Sequence, residues 1–344
     1  MATSTSKRKL CSQPKPVPQL HDPNIAPGRL SFIITTNKKW VNGTNIKYMF
    51  VAGPEAQRKV VRKAFTHWKN LGIGLTFTEV KNVTESMVRI GFDQSDGSWS
   101  YVGRDILTIP KNQTTMNFGW DLTTPYGYTT ALHEVGHTLG FQHEHQSPFA
   151  GIVWNVNAVY QEFTGSPNFW TKSQIDSNII NKISPNQVKG SNWDANSIME
   201  YEFGPGLIIK PEEYKNGITP PGTLSKLDIS GVKSFYPPKT KVKVIKLQPQ
   251  KSVVIKAASG EQADFVFKAP FTKKYTFQTY GQMDTVMVVS EKAKKDNPYL
   301  SGDDDSGFEK NTKIQLPLVK GREYIIKVRV LYSPEKGSGG IVVS

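Results

Sequence analysis

Apolar side chains recur at helical spacing in three stretches of the chain. The first stripe consists of Val60, Val61, Ala64, Phe65 and Trp68. It predicts a helix over residues 54–70, because positions three and four apart share one face of a helix. Two further helices are predicted near residues 128–141 and over residues 223–236. Thr223 or Ser225 can cap the last of them.

Short apolar runs around these helices predict β-strands. They cover residues 30–36, 46–51, 75–80 and 87–92 and are rich in Ile, Val, Phe and Met. Strands that alternate with helices in this way predict a mixed sheet with a helix packed on it. The fold class of this region is therefore expected to be α+β.

The pattern changes to period two beyond residue 244. Residues 275–279 and 324–330 alternate apolar with polar side chains, and Gly, Pro and Asp separate the short runs. This pattern is typical of an all-β sandwich, here of about 100 residues. We predict three segments: a flexible extension or pro-segment at 1–27, the α+β domain at 28–238, and a β-sandwich domain at 245–344.

The composition fits a globular protein with more than one domain. A chain of 344 residues with 37% hydrophobic residues can bury a sizeable core. The single cysteine excludes an intramolecular disulfide. No apolar run approaches the roughly 18 residues of a transmembrane helix. The first twenty residues lack the apolar region of a conventional signal peptide.

The net charge of +14 is unevenly distributed. Residues 1–20 carry +4, residues 239–344 carry +8, and residues 21–238 carry only +2. A basic C-terminal region can contact anionic surfaces. A solvated, lysine-rich surface is the favoured alternative, because the basic residues are not interleaved with aromatic ones. We therefore predict no specific nucleic-acid partner.

The stretch from residue 132 to residue 145, LHEVGHTLGFQHEH, carries the candidate chemistry. His133 and His137 are one helical turn apart, so their imidazoles can bind one Zn²⁺. Glu134 can act as a general base towards a water at the metal. Gly140 can adopt positive φ and end the helix, so that His143 supplies a third ligand. Three histidines leave one position open, which is typical of a catalytic zinc.

These five residues match the extended HExxHxxGxxH pattern of the metzincin peptidases in full. The shorter HExxH pattern alone arises by chance in many helices. Downstream, the sequence SIMEY at residues 197–201 resembles the Met-turn of the astacin branch. The resemblance implies that Met199 lies beneath the histidines, and that Tyr201 is a displaceable zinc ligand that moves to bind the oxyanion. An ordinary buried methionine and tyrosine are the alternative.

The similarity to astacin-like peptidases of bacteria and fungi extends over about residues 28–238. Three further segments match these peptidases: residues 98–103 (SWSYVG), 115–120 (TMNFGW) and 192–196 (NWDAN). The resemblance implies that the strand just before the active-site helix, within residues 112–120, is the edge strand that binds peptides. Glu144 matches a glutamate that can pair with the buried N-terminus of mature astacins. Ser147 stands where animal astacins carry arginine.

Three features lie outside the zinc motif. The C-terminal domain resembles the pre-peptidase C-terminal accessory domains of bacterial secreted peptidases, with matches such as residues 264–267 and 321–324. Asp303, Asp304 and Asp305 can bind Ca²⁺, although a solvated acidic turn is the favoured alternative. Cys11 can bind zinc in a latent form. The resembled astacins do not use cysteine in this way, so an incidental thiol is favoured.

Together these features predict a zinc metalloendopeptidase that acts on protein or peptide substrates as a monomer. One alternative is a zinc-fold binding protein without turnover, and another is a zinc hydrolase of a different amide class. Glu134 argues against the first, because metal binding alone does not need it. The resemblance implies a secreted protein, and a cytoplasmic location is the alternative.

Overall fold

The computed structural model describes residues 8–14, 38–183, 193–238, 244–293, 297–304 and 306–344. Two compact units divide the chain. The described parts of residues 1–20, together with 46–73 and 77–235, form the first unit. The described parts of residues 21–45, together with 74–76 and 236–344, form the second. The strand predicted at residues 30–36 lies outside the described residues.

The first unit is built on a mixed sheet. Its helices and strands are β1 (Asn45–Phe50), α1 (Glu55–Asn70), β2 (Thr76–Glu79), β3 (Val88–Gly91), β4 (Trp99–Ser100), β5 (Met116–Asn117), α2 (Pro125–Thr138), β6 (Val153–Trp154), α3 (Val156–Thr164), α4 (Lys172–Ile175), β7 (Ile208–Lys210) and α5 (Lys226–Phe235). The order in the main sheet is β2-β1-β3-β5-β4, and β4 runs antiparallel to β5. The predicted mixed sheet and the three long helices are confirmed.

One detail of the predicted sheet is wrong. Residues 112–120 do not supply the edge strand, because β5 inserts between β3 and β4. Both β5 side chains, Met116 and Asn117, are buried, as expected for an interior strand. The edge strand next to β5 is β4, which precedes β5 in the chain and follows the short turn at Ser98, and β2 is the edge strand on the opposite side.

Helix α1 holds α2 in place through its apolar stripe. Val61, Ala64, Phe65 and Trp68 are buried on one face. The indole nitrogen of Trp68 also donates to the carbonyl of Leu132, at 3.0 Å. This bond lies one residue before His133, so the first helix helps to fix the helix that carries the zinc motif.

The second unit is a sandwich of two sheets, as predicted. Its strands are β8 (Ile245–Leu247), β9 (Val253–Val254), β10 (Gln262–Lys268), β11 (Lys273–Gly281), β12 (Asp284–Glu291), β13 (Tyr299–Asp303), β14 (Lys313–Leu318), β15 (Glu323–Tyr332) and β16 (Gly339–Val343). The two sheets have the orders β13-β12-β15-β10-β8 and β14-β11-β16-β9. Alternate side chains such as Phe265, Phe277 and Ile326 meet in one buried cluster, as expected for period two.

The acidic turn after β13 is only partly described. Asp303 accepts hydrogen bonds from the backbone nitrogens of Ser306, at 3.2 Å, and Lys313, at 2.8 Å. Asp305 lies outside the described residues. Calcium binding at Asp303, Asp304 and Asp305 therefore stays a prediction. None of the helices among the described residues is both long enough and apolar enough to cross a bilayer.

Candidate active site

Helix α2 begins and ends through recognisable local chemistry. The hydroxyl of Thr124 accepts from the backbone nitrogen of Gly127, at 3.0 Å, and Pro125 follows as the first helical residue. At the other end Gly140 has φ of 99°. The nitrogen of Gly140 bonds to the carbonyl of His137, and that of Phe141 to the carbonyl of Gly136. This pair of bonds is a Schellman motif, and it confirms the predicted turn at Gly140.

The three motif histidines share one hydrogen-bonding arrangement. The Nδ1 atom of His133 lies 2.8 Å from the carbonyl oxygen of Ile198, and that of His137 lies 2.8 Å from the carbonyl oxygen of Phe141. The Nδ1 atom of His143 lies 3.2 Å from the side-chain oxygen of Gln146. Because carbonyl oxygens only accept, each Nδ1 carries the proton, and the lone pair of each ring is therefore on Nε2.

The three Nε2 atoms converge in the interior in a way that fits a cation. Those of His137 and His143 are 3.1 Å apart, and two unprotonated nitrogens at this separation repel unless a positive charge lies between them. Among the described residues the buried Nε2 of His133 has no hydrogen-bond partner. Burial lowers the pKa of His133 to about 4 and that of His143 well below its usual range. Neutral imidazoles with oriented Nδ1 protons are the donor set that Zn²⁺ binds.

Glu134 follows His133 on α2, is fully buried, and lies close to the thiol of Cys11. Within the described part of the chain, neither carboxylate oxygen has a hydrogen bond of normal geometry. Burial raises the pKa of Glu134 to about 8, and the nearby thiol of Cys11 opposes this shift. A buried, unpartnered carboxyl group is costly to maintain. Its position therefore points to a use in chemistry rather than in stability.

The predicted Met-turn is held by an aspartate that the sequence analysis did not identify. Asp228 accepts from the hydroxyl of Ser197, at 2.6 Å, and from the nitrogen of Ile198, at 2.8 Å. Asp228 also exchanges two bonds with Ser225 at the start of α5, which makes a capping box. The S-x-x-D spacing was the available signal. The turn places the carbonyl oxygen of Ile198 within hydrogen-bond distance of the Nδ1 atom of His133.

Met199 packs beneath α2 at a point where the helix has no side chain. It is 2% exposed, and a Cβ atom added at Gly136 would collide with its sulfur. We therefore expect Gly136→Ala to force the turn and the helix apart. The cost of such overpacking is about 1–3 kcal/mol of stability, which outweighs the roughly 0.5–1 kcal/mol that alanine gains over glycine within a helix, so the thermal midpoint of unfolding should fall.

Gly231→Ala is the matched control for this prediction. Gly231 lies inside α5, and nothing lies within 4 Å of a Cβ atom added there. Alanine at an open helical position raises stability by roughly 0.5–1 kcal/mol. Equal midpoints for Gly136→Ala and Gly231→Ala in thermal unfolding would contradict the packing of Met199 against α2.

Tyr201 lies at the edge of the histidine cluster. Its hydroxyl is 3.0 Å from the Nε2 atom of His143 and donates a hydrogen bond to the carbonyl oxygen of Cys11, at 2.5 Å. The side chain is buried, and burial raises the pKa of the phenol well above its usual value. Tyr201 is therefore a neutral donor that points towards the same space as the imidazoles.

Cys11 also belongs to this cluster, contrary to the favoured interpretation of an incidental thiol. Its sulfur lies 3.7 Å from the Nε2 atom of His137. The candidate ligand atoms of Cys11, His133, His137 and His143 all lie within 4.8 Å of one another, and all four residues are buried. The long separation in sequence explains why local pattern gave no sign of this contact.

Two cavities lie along the segment 8–14, and one of them reaches His133. One has a volume of about 450 Å³ and is lined by residues that include Tyr126, Thr130, His133, Tyr201 and Glu202. The other, of about 610 Å³, is lined by residues that include Trp99, Tyr101, Asn168, Trp170 and Asn178. Residues of the segment 8–14 line both. The two cavities together are called the cleft below, and the histidine cluster borders the first of them at His133.

Comparison with known proteins gives consistent matches. The family model for the astacin peptidases matches residues 32–236. Zinc metalloproteinase nas-36 of Haemonchus contortus is 25% identical over 224 residues, which cover 62% of this chain and 33% of that protein. Protein SpAN of Strongylocentrotus purpuratus is 28% identical over 163 residues, covering 45% of this chain and 23% of that protein. The chain thus spans a third or less of these curated relatives.

Among solved structures, that of myroilysin is similar with a TM-score of 0.55 and 34% sequence identity. The match covers 60% of this chain and 98% of the myroilysin chain. The similarity therefore extends over nearly the whole myroilysin chain and is not confined to the zinc motif.

Proposed function

Because the chain belongs to the astacin family of peptidases, we propose that it is a zinc-dependent endopeptidase that hydrolyses protein or peptide substrates. Residues 28–238 are its proposed catalytic domain. One observation carries the proposal: three buried imidazoles converge, and the buried carboxylate of Glu134 follows the first of them on the same helix. A binding protein without turnover has no use for that carboxylate. Secretion and a monomeric state stay predictions.

His133, His137 and His143 are the residues that would hold the metal through Nε2. Their Nδ1 protons are bound by Ile198, Phe141 and Gln146, which fixes both tautomer and ring orientation. When bound there, Zn²⁺ supplies a Lewis acid that polarises the scissile carbonyl and lowers the pKa of water.

Glu134 is the proposed general base and acid. It follows His133 directly on α2, and its carboxylate shares the buried space of the imidazoles. It takes a proton from the attacking water and then gives it to the nitrogen of the leaving amine. One carboxylate can serve both steps, because it holds the proton between them.

Tyr201 is the proposed donor to the oxyanion. Its hydroxyl already donates to a main-chain carbonyl in the cleft, that of Cys11. The same bond to a substrate carbonyl strengthens as negative charge develops on the oxygen. It is also a proposed additional metal ligand in the resting enzyme, since its oxygen is close to the Nε2 atom of His143.

The edge strand β4 is the proposed binding site for the substrate backbone. The nitrogen of Ser12 donates to the carbonyl of Ser98, at 2.9 Å, immediately before β4. An extended substrate can add to the sheet in the same way, since an edge strand has unpaired backbone groups. Strand addition contacts the substrate mainly through its backbone. It therefore accepts peptides with a broad range of side chains.

Hydrolysis of denatured casein tests the proposal. Because residues 8–14 lie in the cleft, the chain is assayed as purified and after brief trypsin treatment followed by trypsin inhibition. We expect cleavage that a chelator abolishes and added Zn²⁺ restores. Absence of cleavage in both forms, or cleavage indifferent to the chelator, would refute it.

A further inference from the structure

Residues 8–14 are fastened along the cleft by their main chain. The nitrogens of Leu10 and Gln13 donate to the side-chain oxygens of Asn168 and Asn178, each at 2.9 Å. Between them, the nitrogen of Ser12 donates to Ser98. The segment has neither helix nor strand, yet three of its backbone nitrogens donate hydrogen bonds to residues outside the segment. Such ordering of an irregular terminal segment costs conformational entropy, which these contacts must offset.

The beginning of the segment is held by side chains. Arg8 forms an ion pair with Glu202, at 3.0 Å, and its guanidinium lies 4.8 Å from the ring centre of Tyr126. The hydroxyl of Tyr126 donates to the carbonyl of Lys9. Both partners line the cavity beside the histidines. The segment is therefore anchored on the two sides of Cys11.

Cys11 lies between the contacts of Arg8, Lys9 and Leu10 on one side and those of Ser12 and Gln13 on the other. Its side chain is 6% exposed, and its sulfur belongs to the group of ligand atoms that includes the three imidazoles. A second, independent observation points to the same centre: within the described residues, the buried Nε2 atom of His133 has no hydrogen-bond partner. The donor set of one thiol and three imidazoles is that of a closed, four-ligand zinc site.

Resting on the proposed peptidase function, we propose that Cys11 is a fourth protein ligand of the zinc, and that residues 8–14 keep the active site closed. Three histidines leave one coordination position for water, and the Cys11 thiolate fills it. The segment also occupies two groups that a substrate needs: the hydroxyl of Tyr201 and the carbonyl of Ser98. The enzyme is therefore latent until this segment leaves the cleft.

Optical absorption of the full-length chain loaded with Co²⁺ in place of zinc tests the ligand directly. A cobalt–thiolate bond gives a charge-transfer band that nitrogen and oxygen ligands do not give. We expect the band in the wild-type protein and its loss in Cys11→Ser. Ser12→Ala, a change at the next residue, is the matched control and should keep the band. Circular dichroism verifies that each variant is folded.

Peptide hydrolysis by the same full-length variants tests the closure. Cys11→Ser should be at least about tenfold more active than wild type, which corresponds to about 1.4 kcal/mol, whereas Ser12→Ala should stay latent. Failure of every variant to bind cobalt would contradict the proposed function itself. Cobalt binding without the sulfur band, or a band accompanied by equal activities of wild type and Cys11→Ser, would overturn only the role of Cys11.

Discussion

Glu134→Gln is expected to keep the metal and the fold and to lose nearly all peptide hydrolysis. Glutamine has the size of glutamate but cannot take a proton from water. Positioned general acids and bases contribute about 10²–10⁴-fold to rate, so kcat should fall by at least that range. Because glutamine fills the same buried space, the fold should be retained. The rates are measured in a Cys11→Ser background, in which the thiol no longer occupies the site.

Glu79→Gln is the matched control for the loss of a carboxylate. Glu79 is bonded to Arg62, at 2.6 Å, on β2 and away from the histidines. This change should leave kcat within a factor of about two, as expected for a surface pair worth little energy. Activity of Glu134→Gln close to that of Glu79→Gln would remove Glu134 from the mechanism.

Tyr201→Phe is expected to lower kcat and kcat/KM together, with KM nearly unchanged. The phenylalanine ring fills the same space, so the change removes only the hydroxyl that donates to the carbonyl of Cys11. Loss of one donor to an oxyanion costs about 10²–10³-fold in kcat, or roughly 2.7–4 kcal/mol. An interaction made mainly in the transition state produces this pattern of constants.

Tyr160→Phe removes a hydroxyl of the same kind outside the cluster. Its oxygen donates to Asp176, at 2.6 Å, and its loss should leave both constants close to those of the parent. Zinc content should be unaffected in Tyr201→Phe, since three histidines suffice to hold the metal. Kinetic constants equal to those of the parent would mean that Tyr201 only packs against the turn.

The parts of the fold that could be predicted depend on short-range rules. The helix carrying His133 and His137 was predicted because helical period and cap residues are local properties. The positive φ of Gly140 followed from its place after the last helical turn, and the structure has it at 99°. The alternation that predicted the β-sandwich is equally local, because buried and exposed side chains alternate within each strand.

The parts that could not be predicted depend on contacts between distant residues. Strand β4 has two residues, too few to give a periodic pattern, and its place at the sheet edge depends on where β5 inserts. Cys11 reaches His137 across 126 positions of the chain. Asp228 supports Ile198 from the start of another helix. Each of these contacts forms only when distant parts of the chain pack together. The residues next to each partner in the sequence therefore give no indication of it.

The zinc content of the purified chain tests the central claim most directly. Elemental analysis should find one zinc per chain in a Cys11→Ser background. Adding His143→Ala should remove most of that zinc, and peptide hydrolysis should decline in proportion, because only two imidazoles then remain. A chain that hydrolyses peptides without zinc, or that keeps its full zinc content after His143→Ala, would contradict the assignment of these histidines as a catalytic metal site.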